Sequence, residues 1–184
     1  MNIIERPIPG LLIIEPRVFA DERGYFFESF SGLKFENAGL ITTFVQDNES
    51  KSCRGVIRGL HYQLAPYAQT KLIRVVQGSV YDVAVDLRKG SPTFGQWFGL
   101  EISESNKKQF YIPKGFAHGF SVLSETAIFS YKCDEFYHPE AERGIRFDDP
   151  ALGIDWKLPK EEAIVSGKDQ IHPFLANAEM NFKF

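Results

Sequence analysis

The sequence predicts a mostly-β protein built as a sandwich or barrel with a few short helices, and three observations carry that expectation. Seventeen phenylalanines and seven tyrosines, with many Val and Ile residues, fall in short runs punctuated by Gly, Pro and Asp, a composition that favours strands over helices. The clearest runs alternate apolar and polar residues, the period of a half-buried strand. Helix-forming stretches are too few and too short to serve as a βαβ crossover series.

Taken in order, strands are expected at residues 11–15, 25–30, 43–47 and 56–63. Residues 71–86 read as a β-hairpin, because KLIRVVQ and VYDVAVD alternate on either side of Gly78-Ser79, a two-residue turn sequence. Further strands are expected at residues 96–102, 109–112, 118–123 and 127–133. Helix is expected only around residues 33–38 and near 160–165. So many short strands suit a sandwich or barrel, and 184 residues suffice for one domain with a full core. Residues 1–184 therefore read as a single domain.

Composition narrows the function. A net charge of −3, with Lys and Arg scattered along the chain, gives no electrostatic footprint for nucleic acid or for a membrane surface. The apolar run 11–14 is short and is preceded by Glu5, Arg6, Pro7 and Pro9, which does not describe a signal peptide. No stretch approaches the roughly 18 to 20 apolar residues of a membrane helix. Cys53 and Cys133 stand far apart without a CxxC pair, so neither a disulfide framework nor a zinc site is expected, and the cytoplasm is the expected location. No GxG occurs anywhere, which argues against a dinucleotide or ATP cradle.

Of the four histidines, His138 and His172 sit beside prolines and read as loop residues. His61 in VIRGLHYQ and His118 in IPKGFAHGFSVL lie in strand-like runs. The spacing Gly55-x5-His61-x-Gln63, then Lys71-x6-Gly78, resembles the first motif of the cupin superfamily, and Pro113-x-Gly115-x2-His118 resembles the second. A metal-binding cupin would carry His in place of Gln63 and Glu in place of Lys71. A lysine ammonium in a ligand position opposes a divalent cation, so no metal and no other cofactor is expected.

A lone His in a strand is most simply a core residue. Arg58, Gln63 and Lys71 gather in and just beyond the same strand, however, and a buried sheet avoids such polar density unless it lines a cavity. Strict alternation would put Arg58 and His61 on opposite faces, and Gly59 marks the position where a bulge would bring both inward. In residues 127–133 one parity reads Ala, Phe, Tyr, Cys, which turns Tyr131 inward. There it is either a core aromatic or a neutral proton donor facing a base.

FADERGYFFESF (19–30), FVQDNESKS (44–52), VIRGLHYQ, KLIRVVQGSVYDVAVDLRKGSPTFGQW, YIPKGFAHGFSVLSE and FSYKCDEFYHPE together resemble the dTDP-4-dehydrorhamnose 3,5-epimerase family over nearly the whole chain. That resemblance implies a cofactor-independent jelly-roll homodimer, its terminal extensions packed on the barrel, acting on dTDP-4-dehydro-6-deoxy-D-glucose. It implies His61 as base, Asp169 in SGKD as the partner that orients it, Tyr131 as acid and Lys71 as stabiliser of an enolate oxygen. Arg58 and His118 would complete the polar pocket. Arg23, Glu28, Gln46, Asp47 and Asn48 resemble positions that hold the nucleotide and diphosphate, Tyr137 the residue that stacks on thymine, and Glu142 and Lys168 further binding positions. Read without the family, Arg23 is a turn ion pair of little energetic weight, and Glu28, Asp47 and Asp169 are surface carboxylates.

The chemistry suits these residues. Carbons 3 and 5 both flank the C4 ketone, so loss of either proton gives an enolate whose charge rests on one oxygen, and one base with one cation serves both centres. Three rival readings remain at this level: an epimerase that inverts one of the two carbons or uses another 4-keto sugar nucleotide, a metal-dependent cupin, and a non-catalytic sugar-nucleotide-binding barrel.

Overall fold

The chain is described by a computed structural model over residues 2–5 and 7–184; Arg6, which helps break the apolar start, lies outside the described residues, as does Met1. The strands are β1 (Asn2–Glu5), β2 (Leu12–Glu15), β3 (Val18–Asp21), β4 (Gly24–Phe27), β5 (Gln46–Cys53), β6 (Val56–Gln63), β7 (Lys71–Gln77), β8 (Ser79–Asp86), β9 (Trp97–Ser103), β10 (Gln109–Ile112), β11 (Phe116–Val122), β12 (Thr126–Cys133), β13 (Glu142–Gly144) and β14 (Ile164–Val165). Two short helices, α1 (Gly32–Asn37) and α2 (Gly167–Gln170), complete the regular structure.

Two sheets face each other as a sandwich. The first has the order β1-β2-β10-β7-β12-β5, and the second β13-β6-β11-β8-β9 with β14 added beside β6. Alternate residues of both sheets meet in one apolar core: Ile73, Val75, Phe110 and Phe129 from the first, Val80, Ala84, Phe116 and Phe120 from the second. Phe120 stacks on Phe129 with ring centres 4.1 Å apart, and such pairs add about 0.5–1.5 kcal/mol beyond area burial. The outer face of the second sheet is covered by the C-terminal stretch, where Ile145, Leu152, Trp156 and Phe182 pack on Ile57, Leu60, Val83 and Val85. A smaller cluster seats Phe35 of α1 on Leu12, Ile14, Leu72 and Tyr111, outside the first sheet.

The expected hairpin at 71–86 is corrected. β7 and β8 are both present, but β7 pairs with β10 and β12, whereas β8 pairs with β9 and β11. Gly78 is a corner that carries the chain from one sheet to the other. It takes φ +77°, and a Cβ there would stand 2.1 Å from the Thr126 carbonyl oxygen, so this close approach leaves room for glycine alone. Alternation marks a strand but does not choose its partner, and both strands are buried enough to be central in either sheet.

Other boundaries shift as well: the strand expected at 25–30 runs over Gly24–Phe27. The strand expected at 43–47 runs instead over Gln46–Cys53. It reads as a loop because both its faces are polar, the inward one carrying Gln46, Asn48, Ser50 and Ser52. The helix expected near 160–165 is a single turn at Lys160–Glu162 followed by β14, which pairs in parallel with β6.

A carboxylate clamp ties the corner beyond β8. Asp86 accepts two bonds from the Arg88 guanidinium, at 2.8 and 2.7 Å, one from Ser91 Oγ at 2.6 Å and one from Thr93 Oγ1 at 2.7 Å. Burial pushes this carboxyl up, but Arg88, Ser91 and Thr93 together outweigh it and hold it at about 2. A depressed pKa stabilises the fold fully above the unfolded value and is lost as pH falls through the folded one. The wild type is therefore expected to lose roughly 2 kcal/mol from this group between about pH 4 and pH 2. Asp86→Asn, which strands the mostly buried Arg88, is expected to cost about 3–5 kcal/mol at neutral pH, read as a lower denaturant midpoint. A shift worth less than about 1 kcal/mol would show the clamp to be dispensable.

Candidate active site

One end of the sandwich interior is polar. On β6 the inward residues are Arg58, His61 and Gln63, while Ile57, Leu60 and Tyr62 point outward into the second core cluster. Both Arg58 and His61 face inward because β6 carries an extra residue there: His118 pairs with His61 and Phe120 with Arg58, two steps on β11 against three on β6. Gly59 takes φ +120°, and a Cβ on it would lie 2.6 Å from Gly119 Cα. The bulge therefore depends on glycine.

His61 Nε2 lies 2.7 Å from Asp169 Oδ1. A carboxylate can only accept, so Nε2 carries the proton and Nδ1 keeps the free lone pair. Asp169 is fixed in turn by two groups: its Oδ2 accepts from the Gly59 amide at 3.2 Å, and its own amide donates to Ser166 Oγ at 3.1 Å, the N-cap of α2. Burial raises the Asp169 carboxyl, but the His61 bond and the Gly59 amide outweigh this, and its pKa falls below the ordinary value. It stays ionised behind the ring.

A second histidine–aspartate pair stands beside the first. His118 Nε2 sits 3.0 Å from each carboxylate oxygen of Asp82, and both residues are buried. Burial pushes Asp82 up and His118 down; their mutual contact, and for Asp82 the Lys71 charge as well, oppose these shifts without reversing them.

The facing sheet supplies a cation and a phenol. Lys71 on β7 and Tyr131 on β12 share the inward parity of Ile73, Val75 and Phe129, and Lys71 Nζ lies 5.8 Å from the centre of the Tyr131 ring. Burial lowers the Lys71 pKa, opposed by Cys133, Asp82 and Glu142. Burial, with help from Cys133 and Glu142 and against Arg58, pushes the Tyr131 phenol up to about 12. At neutral pH it is a protonated donor.

Gln63, at a position where a metal cupin would present a ligand, is already committed. Its amide donates to the carbonyls of Tyr67 and Phe136, and its oxygen accepts from the His138 amide. These bonds hold the loop that carries Tyr137. That ring is half exposed; its hydroxyl donates to Glu142 at 2.8 Å, its amide donates to Gln46 at 3.1 Å, and Lys168 pairs with the same Glu142 oxygen. Gln46 and Asn48 are linked to each other at 3.0 Å, and Arg58 Nε donates to Ser52 at 3.2 Å on that inward row.

Three expected residues lie elsewhere. Asp47 alternates to the opposite face of β5 and pairs with Lys132 at 2.9 Å. Arg23 stays in its hairpin, bound to Asp21, and Glu28 pairs with Lys34 at 2.6 Å. The β3–β4 hairpin joins neither large sheet. One residue beside the site has no counterpart among the expectations. Asp82 hid in an alternating strand that reads as core. His172 lies in a loop, as expected, and packs edge-on against His61 with ring centres 5.7 Å apart.

Comparison with known proteins agrees in one direction. A family profile described as dTDP-4-dehydrorhamnose 3,5-epimerase matches residues 5–177. The chain is 56% identical over 170 residues to the dTDP-4-dehydrorhamnose 3,5-epimerase of Shigella flexneri, covering 92% of this chain and 93% of that one. It is similar to the crystal structure of the enzyme of that name from Elizabethkingia anophelis, with TM-score 0.92 and 54% identity over 96% of this chain and 97% of the other. A dTDP-6-deoxy-D-glucose-3,5-epimerase from Legionella pneumophila, solved in complex with dTDP-4-keto-L-rhamnose, matches with TM-score 0.92 and 53% identity, covering 96% and 93%.

Proposed function

The chain belongs to the dTDP-4-dehydrorhamnose 3,5-epimerase family, and we propose that His61, Asp169, Lys71 and Tyr131 carry out its reaction. The activity is isomerisation of dTDP-4-dehydro-6-deoxy-D-glucose to dTDP-4-dehydro-L-rhamnose in dTDP-L-rhamnose biosynthesis. The observation that supports the assignment is that the two facing sheets turn both sets of groups toward the same polar end of the interior: His61 from β6, backed by Asp169 of α2, and Lys71 and Tyr131 from β7 and β12.

His61 Nδ1 takes the proton from carbon 3 or carbon 5, and the ionised Asp169 compensates the imidazolium that forms. The C4 oxygen gains negative charge as the enolate develops, and the Lys71 ammonium meets it in a water-poor site where such charge is worth most. Tyr131 then delivers its phenolic proton to the opposite face of the same carbon. A phenol at about 12 remains a far stronger acid than the C–H being formed, so this transfer is downhill. Arg58 and Lys168 neutralise the diphosphate, and Tyr137, with Gln46, Asn48 and Glu142, forms the nucleotide end. His118 and Asp82 complete the polar end of the interior near Lys71. The steps need no cofactor.

The reading extends to organisation. Asp169 reaches across the chain to Gly59 and His61, which supports residues 1–184 acting as one domain. Phe19, Tyr25 and Phe26 of the β3–β4 hairpin are exposed, an apolar surface suited to a second copy, and with it a homodimer in which Arg23 and Glu28 join a substrate site. Sedimentation velocity reads that part directly, and a species of one chain would remove it. Among the described residues no helix is long and apolar enough to cross a membrane, and both cysteines are free, in keeping with work in the cytoplasm.

The deciding experiment is NMR of chelator-treated protein with dTDP-4-dehydro-6-deoxy-D-glucose in D₂O. Deuterium is expected at carbons 3 and 5 with inversion at both. Inversion at one carbon alone would make this a monoepimerase, and no exchange at either would overturn the catalytic assignment for this substrate.

A further inference from the structure

His172 is placed with unusual constraint for a residue of a C-terminal loop. Its side chain is mostly buried, and its Nε2 has no hydrogen-bond partner among the described residues. Gly144 of β13 admits the ring, because a Cβ there would stand 2.4 Å from it. Nε2 points toward Asp169 Oδ1 at 3.6 Å, the same oxygen that His61 Nε2 contacts at 2.7 Å. The three ligand atoms of His61, Asp169 and His172 all lie within 4.8 Å of one another.

We propose that His61, Asp169 and His172 form an inhibitory site for a borderline transition-metal cation, Zn²⁺ above all. Two imidazoles and one carboxylate are the donor set of many open zinc sites. With metal–ligand distances of about 2.0–2.1 Å, tetrahedral geometry places ligand atoms roughly 3.3 Å apart, and the observed 2.7 and 3.6 Å bracket that spacing. His61 remains partly open to solvent, leaving room for water as a fourth ligand. The nearby Lys168 is already paired with Glu142, which reduces its repulsion of a cation.

The metal fixes the imidazole in a state that the reaction cannot use. Zn²⁺ on Nε2 displaces the proton there, and a neutral imidazole bound through Nε2 carries its proton on Nδ1. The lone pair that takes the sugar proton is then occupied, with no net proton released by His61. The cation sits behind the base, so saturating sugar nucleotide is expected not to relieve the inhibition. His172 takes no part in the proton transfers and serves only to hold the ion.

The metal-binding half stands on geometry alone, and the inhibitory half rests on the epimerase reading. Chelator-treated protein in a Cys53→Ser background, which removes the exposed thiol, is titrated with zinc chloride against a chromophoric chelator. Long-range ¹H–¹⁵N spectra follow the four imidazoles. One saturable site is expected, shifting the His61 and His172 rings, weakened at least tenfold in His172→Gln. Deuterium exchange into the sugar is expected to fall in proportion to bound zinc and to return with EDTA, while His172→Gln without metal exchanges at the parent rate. Zinc that binds without moving these two rings, or that binds His172→Gln as tightly, overturns the site, and the spectra decide this even should the variant fold poorly. Zinc bound at these rings with undiminished exchange overturns the inhibition. Absent exchange in metal-free protein would instead count against the epimerase reading, with the zinc titration unaffected.

Discussion

His61→Asn is expected to lower deuterium exchange at carbon 3 and carbon 5 together, by about 10² to 10⁴-fold, the usual contribution of a positioned general base. The equality of the two losses is the informative part. Both protons flank the same ketone, and one imidazole, held by Asp169 Oδ1 at 2.7 Å, is assigned to both. Two separate bases would leave one carbon exchanging near the parent rate. KM is expected to change by no more than a few-fold, because His61 contacts Asp169 and not the groups assigned to the diphosphate. Exchange rates at both carbons over a substrate titration check this. Loss at one carbon only would move the second proton to another group, and His118, which bonds Asp82 through Nε2, would be the next residue to vary.

How much of this arrangement the sequence carries depends on the kind of information each residue needs. The inward turn of Tyr131 was legible because parity in a strand is local: Ala127, Phe129 and Cys133 fix the face. The joint facing of Arg58 and His61 was legible through Gly59, the residue a bulge requires. Sheet membership was not, because the partner of β7 is chosen by packing far along the chain, and the Gly78-Ser79 turn sequence suits a corner as well as a hairpin. Asp169 had a local signal in Ser166-x-x-Asp169, the pattern of a helix N-cap that fixes its third residue, but nothing local tells which strand receives its carboxylate. Asp82 left no trace, since an acid in VYDVAVD reads as one solvent-facing position. Arg23 and Glu28 show the converse case: the motif resembles binding positions, yet in one chain their side chains are engaged with Asp21 and Lys34.

Tyr131→Phe separates the two halves of the reaction. The change removes one oxygen and leaves the ring packed beside Phe129, 5.9 Å between centres, and below Lys71. Enolate formation uses His61 and Lys71, both intact, so deuterium is expected to enter at carbons 3 and 5 at a rate within about tenfold of the parent. Inversion is expected to fall by about 10² to 10³-fold, because the remaining proton donor is the His61 imidazolium, and it returns deuterium to the face it left. The NMR signature is labelled substrate of unchanged configuration. Loss of exchange and inversion in parallel would show that the phenol is needed to form the enolate, and would shift its role toward the C4 oxygen. Inversion at the parent rate would remove Tyr131 as the acid. It would direct attention to Cys133, whose buried thiol, pushed up to about 11, is the other neutral donor of the same inward row.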